Sequence, residues 1–360
     1  MRCTDNFSGQ SQYTEREWAR ILAKEAEEKK KQRGLLFILL ALLLAALLMV
    51  FLVYYFVFRS HDYELTRPFQ KTDSVYGIQN GLQLSDTAKT FASDLCVTDE
   101  NVNLDAVSIG AYEGALFNLN DREVEYAKDI FTPRSPASLT KIMTALVALK
   151  YGNPDDMVTV TETALDIEYG SSVCDIKVGD QLSLKQLLYG LLIASGNDAA
   201  MMIAEHVSGS VDQFVALMNQ EAQALGATGT HFSNPHGLTA QDHYTTAYDL
   251  YLMFREAMKY DLFMDIINRK NYYAEYTRID GSAVAVTWES TNHYFTGEAQ
   301  APDNVIVYGG KTGTTDDAGA CLTLLSKDLY GNPYLSVIMH ASTKDDLYTE
   351  MNQILTMIEN

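Results

Sequence analysis

The sequence predicts an α/β protein of the α+β type, in which an antiparallel sheet is flanked by helices and joined to a helical lobe. Three observations support this fold class: a hairpin pattern near residue 120, a series of helical patterns between residues 136 and 267, and strand patterns after residue 271 that lead into a last helix. The chain has 360 residues, 47% of them hydrophobic and 21% charged. It is therefore long enough for one large globular domain or two small ones.

The N-terminal region carries a predicted membrane anchor. Residues 34–58 form an uncharged, leucine-rich run of 25 residues, which as a helix spans about 37 Å and is sufficient to cross a bilayer core. Residues 29–33 in front of it hold four cations, so the positive-inside rule places the N-terminus in the cytoplasm. Because no cleavage site follows the run, we interpret it as a retained, single-pass signal anchor.

These features divide the chain into four predicted segments. Residues 1–33 are a cytoplasmic tail, residues 34–58 the transmembrane anchor, residues 59–105 a stalk, and residues 106–360 one extracytoplasmic folded domain. The net charge is −20, and since the tail carries eight Lys and Arg against six Asp and Glu, the acidic excess lies beyond it. An acidic ectodomain excludes nucleic-acid binding through a broad basic surface.

The cysteines do not form a disulfide framework. Only Cys96, Cys174 and Cys321 lie beyond the predicted anchor, and three cysteines allow at most one bridge. Whether Cys96 pairs with Cys174 is left open by the sequence, and Cys321 falls in an apolar strand that predicts a buried free thiol.

The first elements of the domain follow from hydrophobic periodicity and capping residues. Residues 114–128 alternate between apolar and polar side chains, which predicts a β-hairpin. A helix begins at Pro136, whose fixed φ suits a first helical turn, and its apolar stripe extends to Leu149. Ser183 is positioned to cap the next helix, which ends near Ser195.

The later elements complete the alternation of helices and strands. Helical patterns cover residues 197–207, 210–226 and 245–267, and Ser210 with Gln213 suggests a capping box. Strand patterns and a closing helix follow, at residues 272–288, 305–315, 321–326, 334–340 and 344–358.

Ser138 and Lys141 form the first candidate catalytic pair. They stand three residues apart at the start of the Pro136 helix, so both side chains lie on one face. A serine hydroxyl needs an adjacent base to become nucleophilic, and a lysine serves as that base if burial or a neighbouring cation lowers its pKa. Alone, the pattern fits a capped helix with a surface lysine better than a catalytic pair.

Two later motifs favour the catalytic interpretation. Ser195-Gly196-Asn197 stands between two predicted helices, where a turn presents a hydroxyl and an amide to a cleft. Lys311-Thr312-Gly313-Thr314 follows an apolar strand. Ser290-Thr291-Asn292 repeats the Ser-x-Asn pattern, but we set it aside because its surroundings predict a strand and no helix boundary.

In this order, the three motifs resemble those of penicillin-recognising serine enzymes. From about Gly114 onward the chain is similar to the low-molecular-weight penicillin-binding proteins, the serine-type D-alanyl-D-alanine carboxypeptidases of peptidase family S11. The segments Asn234-Pro235-His236-Gly237-Leu238 and His243-Tyr244-Thr245-Thr246-Ala247 add to the resemblance. It implies a β-lactamase/DD-peptidase-like transpeptidase fold, no cofactor, and a catalytic domain facing the wall of a bacterial cell.

The resemblance also implies a role for each motif residue. Ser138 attacks the penultimate D-Ala of a peptidoglycan stem peptide, Lys141 takes the proton, and β-lactams acylate the same serine. Ser195 relays a proton to the leaving amine, and Asn197 holds Lys141 and the substrate. In the third motif, Lys311 and Thr312 bind the terminal carboxylate, Gly313 allows close approach, and the N–H of Thr314 joins that of Ser138 as an oxyanion donor.

Two other functions and a metal site fit the sequence less well. A β-lactamase shares the first step but commonly has Ser-Asp-Asn, where this chain has Gly196. A non-catalytic penicillin sensor needs an output domain that a 33-residue tail does not supply. The spacing of His231, His236 and His243 fits no single helix face, so we expect no metal site.

Overall fold

The computed structural model describes residues 94–358, together with residues 30 and 49. The strands of this part of the chain are β1 Glu113–Asn118, β2 Glu123–Lys128, β3 Met157–Thr159, β4 Gln181–Ser183, β5 Asn271–Thr277, β6 Ala283–Glu289, β7 Ile306–Thr315, β8 Gly319–Lys327 and β9 Pro333–Ala341. Its α-helices are α1 Lys141–Tyr151, α2 Leu184–Leu192, α3 Asn197–Ser208, α4 Val211–Ala224, α5 Ala247–Ala257, α6 Asp261–Ile267, α7 His293–Thr296 and α8 Lys344–Leu355. The predicted α+β class is confirmed.

A five-stranded antiparallel sheet organises the domain. Its strand order is β2-β1-β9-β8-β7, so the first hairpin pairs with the last strand of the chain. In β9 the neighbours Val337 and Ile338 face opposite sides, and each belongs to a different hydrophobic core. One core lies under α8, with Met351 at its centre, and the other lies under the helical lobe. Because both faces are covered, the interior of β8 is buried along its length.

A second, four-stranded sheet was not predicted. It has the order β3-β4-β5-β6, and β3 and β4 are only three residues long. Such short strands show no period in the sequence. The stretch 272–288 contains two strands, β5 and β6, which pair as a hairpin.

The helical lobe agrees with the predicted pattern, with one interruption. The Ser183 side chain accepts from the backbone N–H of Gln186 in a full capping box at the start of α2. The predicted helix at 245–267 consists of α5 and α6, separated near Tyr260. This break brings Phe263 edge-on against Phe254, with ring centroids 5.2 Å apart.

The beginning of the described region packs against the domain. Cys96 is buried, and its backbone N–H donates to the Tyr251 hydroxyl over 2.8 Å, while Val102 forms a β-bridge with Ala127. The part of the predicted stalk from residue 94 to 105 is thus in contact with the domain. Residues 94 and 95 form a turn and a bend.

The membrane predictions fall largely outside the described residues. The predicted tail, the anchor and most of the stalk lie before residue 94, where only residues 30 and 49 are described, both helical. Among the described residues, none of the helices has the length and apolar character needed to span a bilayer. Cys96, Cys174 and Cys321 are all free thiols, so Cys96 and Cys174 do not pair.

Candidate active site

The turn that carries Ser138 is tighter than an ordinary helix start. Residues Ala137–Thr140 form a 3₁₀ helix that leads into α1, so Lys141 is the first residue of the α-helix. Ala137 has a φ of 48°, which a residue with a side chain adopts only at a cost of about 1 kcal/mol or more. The Thr140 hydroxyl donates to the Ala137 carbonyl over 2.8 Å and closes the turn.

Ser138 and Lys141 are in direct contact. Lys141 Nζ lies 2.9 Å from Ser138 Oγ, 2.7 Å from Asn197 Oδ1 and 2.7 Å from the carbonyl oxygen of His236. The amide and carbonyl oxygens only accept hydrogen bonds. A neutral lysine amine donates its two hydrogens to them, and its lone pair is then directed at the Ser138 hydroxyl. The predicted i, i+3 pairing is present despite the 3₁₀ geometry.

Lys141 is held in an environment that favours its neutral form. Its side chain is 0% exposed. Burial lowers the pKa of Lys141 well below its ordinary value, and the charge of the nearby Lys311 lowers it further. Cys174 and the Asp198 carboxylate act in the opposite direction on the same pKa, but more weakly.

The Ser195–Asn197 turn joins α2 to α3, as predicted. Ser195 has a φ of 59°, and Asn197 begins α3. The Asp198 carboxylate accepts from the backbone N–H groups of Cys174 and Ala199, each over 2.8 Å. Asp198 thereby ties this turn to the segment before β4, whose Ser172 carbonyl accepts from the Asn197 N–H.

The third motif lies on β7, beside the nucleophile. Lys311 is buried and its Nζ donates to Ser195 Oγ over 3.0 Å and to the Thr312 carbonyl over 2.7 Å. Burial lowers the pKa of Lys311 to about 7. A Cβ on Gly313 would lie 3.0 Å from the Ser138 nitrogen. A side chain at position 313 would therefore press on the Ser138 turn.

One cavity contains groups from all three motifs. Its volume is about 100 Å³, which fits a small residue. The residues that line it are Ser138, Ser172, Ser195, Thr291, His293, Thr312, Gly313, Thr314, Cys321, Lys344, Leu347 and Tyr348.

The segment that we set aside belongs to this cavity. Asn292 caps the short helix α7, so Ser290-Thr291-Asn292 does stand at a helix boundary, contrary to our expectation. The Thr291 hydroxyl lies 2.5 Å from the Thr312 hydroxyl. A helix of four residues leaves no apolar period, so the Asn292 cap was the only available signal.

A buried histidine, His243, supports the nucleophile turn through a contact that the sequence does not predict. His243 Nδ1 accepts from the Ser233 N–H over 3.0 Å, so the other ring nitrogen carries the hydrogen and donates to Thr140 Oγ1 over 2.7 Å. Burial lowers the pKa of His243 to about 4, which keeps the ring neutral. With both ring nitrogens engaged, His243 has no free metal-binding position. Only the fold brings it to Thr140, 103 residues away in sequence.

The arrangement has the parts needed for acyl transfer. It combines a serine hydroxyl, a buried amine within hydrogen-bond distance of it, a second lysine and a small cavity beside them. Within the described residues, no group of three or more His, Cys, Asp or Glu side chains is placed to hold a metal ion.

Comparison with known proteins places this site in a family. The model of peptidase family S11, described as D-alanyl-D-alanine carboxypeptidase, matches residues 100–343. The chain is 33% identical over 274 residues to D-alanyl-D-alanine carboxypeptidase DacF of Bacillus subtilis (strain 168), an alignment covering 74% of this chain and 66% of that relative. It is 36% identical over 232 residues to DacC of Escherichia coli (strain K12), covering 61% and 54% respectively. The chain thus spans between half and two thirds of the length of these relatives.

The solved structures that match this chain support the same family assignment. The crystal structure of the Streptomyces K15 DD-transpeptidase matches with a TM-score of 0.65 and 29% identity, over 70% of this chain and 97% of that one. A D-alanyl-D-alanine carboxypeptidase from Mycobacterium tuberculosis H37Rv matches with a TM-score of 0.62 and 27% identity, over 70% and 91%. On the family match and the shared fold, this chain belongs to the D-alanyl-D-alanine carboxypeptidases of peptidase family S11.

Proposed function

We propose that this chain is a D-alanyl-D-alanine carboxypeptidase that acts through an acyl-enzyme on Ser138 and is inhibited by penicillin. The observation that carries the proposal is the contact of 2.9 Å between Ser138 Oγ and the fully buried Lys141 amine. Burial lowers the pKa of Lys141 well below its ordinary value and so favours the neutral amine, which is the form that accepts a proton. Membership of the family supplies the substrate class, a peptidoglycan stem peptide ending in D-Ala-D-Ala.

The first half of the reaction forms the ester. Ser138 Oγ attacks the carbonyl carbon of the penultimate D-Ala while its proton passes to Lys141. The backbone N–H groups of Ser138 and Thr314 bind the developing oxyanion. When the C–N bond breaks, the proton held by Lys141 passes through the Ser195 hydroxyl, which lies 3.0 Å from Lys311 Nζ, to the amine of the terminal D-Ala, and Lys141 is neutral again. Water then hydrolyses the ester, which releases the shortened peptide and restores Ser138.

The residues around β7 and the Ser195 turn bind the substrate. Lys311 and the Thr312 hydroxyl bind the terminal carboxylate, since one contributes positive charge and the other a hydrogen-bond donor. The Thr291 hydroxyl, 2.5 Å from that of Thr312, completes this subsite. Asn197 accepts from Lys141 through Oδ1, which leaves its NH₂ group for the substrate amide. Because Gly313 has no side chain, the substrate can approach β7 closely beside Ser138.

Release of D-Ala from a synthetic D-Ala-D-Ala peptide tests the proposal. Ser138→Ala is expected to abolish release and to prevent attachment of penicillin, which mass spectrometry locates on the active-site peptide. Ser135→Ala is the matched control, because the Ser135 hydroxyl has no hydrogen-bond partner and does not line the cavity. Absence of release by the unmodified chain, or full release by Ser138→Ala, would contradict the proposal.

The same measurements separate the two alternative functions. A β-lactamase hydrolyses the penicilloyl ester rapidly, and a sensor holds it without releasing D-Ala from peptides. β-Lactamases with these motifs commonly activate water with a glutamate on a loop beside the serine, and none of the residues that line the described cavity is a carboxylate. We therefore expect a long-lived penicilloyl adduct together with turnover of the peptide.

We further propose that the chain is a single-pass membrane protein with its catalytic domain outside the cytoplasm. The proposal rests on residues 34–58 and their basic flank, and on a family whose substrate is in the cell wall. Cells making the full chain should retain it in the membrane fraction and expose the domain to added protease. Recovery of the full chain in the soluble fraction would contradict the anchor.

A further inference from the structure

A second cavity lies next to the catalytic one and shares a wall with it. It has a volume of about 360 Å³, room for about ten water molecules, and is larger than the catalytic cavity. Thr314 lines both cavities. We call it the acidic groove; its lining residues are Glu168, Tyr169, Gly170, Ser171, Leu238, Thr239, Thr314, Thr315 and Asp316.

The direction of β7 connects this groove to the substrate. Gly313 is the residue beside the Ser138 nitrogen, and the carboxylate subsite at Thr312 lies on one side of it. Residues 314–316 continue on the other side and form one wall of the groove. A peptide whose terminal carboxylate sits at Thr312 and whose scissile carbonyl sits at Ser138 therefore extends its preceding residues toward the groove.

The walls of the groove come from two ordered turns. The turn at residues 168–171 is closed by the Ser171 hydroxyl, which donates to the Glu168 carbonyl over 2.7 Å. On the opposite wall, the Leu238 N–H donates to His236 Nδ1 over 3.1 Å, in the same loop whose His236 carbonyl binds Lys141. The groove is thus fixed relative to the catalytic amine.

The lining of the groove complements a cation with an aliphatic stem. Glu168 and Asp316 contribute two carboxylates, and none of the nine lining residues is Lys, Arg or His. Tyr169 is fully exposed at its edge, where an aromatic face attracts an ammonium group and covers methylene groups. Neither carboxylate has a salt-bridge partner among the ion pairs of the described residues.

We propose that the acidic groove is a specificity subsite for a free amino group on the side chain of the residue that precedes D-Ala-D-Ala. The inference rests on the proposed carboxypeptidase function and defines its substrate class: stem peptides with a diamino acid whose side-chain amine is uncapped. An amine that is acylated, as in a cross-linked peptide, loses the charge that the groove selects. The enzyme then discriminates between free and cross-linked strands at this position.

Two peptides that differ in one charge test the inference. Nα-acetyl-L-Lys-D-Ala-D-Ala keeps its side-chain amine, and Nα,Nε-diacetyl-L-Lys-D-Ala-D-Ala does not. We expect the full chain to cleave the first with kcat/KM about fivefold higher at low salt, since each partly exposed ion pair contributes up to about 1 kcal/mol. The preference should fall as salt is added. Equal kcat/KM values for the two peptides, or a salt-independent preference, would overturn the proposal.

Substitutions in the acidic groove test whether the groove is the source of the preference for the free amine. Glu168→Gln with Asp316→Asn should bring the ratio of the two kcat/KM values close to one and leave cleavage of the diacetyl peptide unchanged. Glu123→Gln, on the edge strand at the other side of the sheet, is the control and should keep the ratio. A preference that persists in the double variant refutes the groove. Failure to cleave either peptide would instead contradict the carboxypeptidase function, so the two failures are distinguishable.

Discussion

Gly237 offers a direct test of how the nucleophile turn is held. Its φ is +93°, and a Cβ built there would lie 1.9 Å from the Ala137 carbonyl oxygen and 2.8 Å from Thr140 Oγ1. Atoms of this kind do not approach within 3.0 Å, so Gly237→Ala must displace Ala137 by about 1 Å. A displacement of that size costs about 100-fold in rate when it moves a catalytic group, and Ala137 adjoins Ser138.

Gly226→Ala separates this effect from backbone strain. Gly226 has a φ of +80°, similar to that of Gly237, but a Cβ there meets nothing within 4 Å. Both alanine variants should lose about 1–2 kcal/mol from the unfavourable φ, which lowers Tm by a few degrees in a domain of this size. Only Gly237→Ala should also slow acylation by a fluorescent penicillin, by about 100-fold. Equal acylation rates for both folded variants would refute this account of the turn.

Three further predictions concern the groups around this turn. Lys311→Gln removes a cation and so raises the pKa of Lys141. Because the base must be neutral, the acylation rate should begin to fall at a higher pH than in the unmodified chain. An unchanged dependence of the rate on pH would contradict the interaction between Lys311 and Lys141. Thr140→Val removes the hydroxyl between Ala137 and His243, and should lower the free energy of unfolding by about 1–3 kcal/mol in denaturant titrations, whereas Thr140→Ser should not. Thr291→Val should raise the KM for a D-Ala-D-Ala peptide about fivefold at unchanged kcat, while an unchanged KM would exclude Thr291 from the carboxylate subsite.

The parts of the site that sequence reasoning found are those fixed by local geometry or by a distinctive motif. Ser138 and Lys141 are three residues apart, and a helical or 3₁₀ turn brings them together whatever the rest of the chain does. Asn197 and Lys311 came from the order of the motifs and the family resemblance, because no local rule predicts that Asn197 contacts Lys141 or that Lys311 contacts Ser195.

The parts that were missed depend on tertiary contacts or on very short elements. His243 is not expected to bind a metal, but its actual partner, Thr140, is brought to it only by the fold. Thr291 was set aside because α7 is too short to show a helical period. The second sheet escaped prediction for the same reason, since β3 and β4 have three residues each.

The position of β1 beside β9 has a consequence for when the enzyme becomes active. Pairing Glu113–Asn118 with Tyr334–Met339 joins residues more than 200 positions apart, and such non-local pairings form late and slowly. β7 is connected to this pairing through β8 and β9, so Lys311 and Gly313 take their places beside Ser138 as part of the same non-local assembly. Acylation of Ser138 by penicillin would therefore report a completely folded domain.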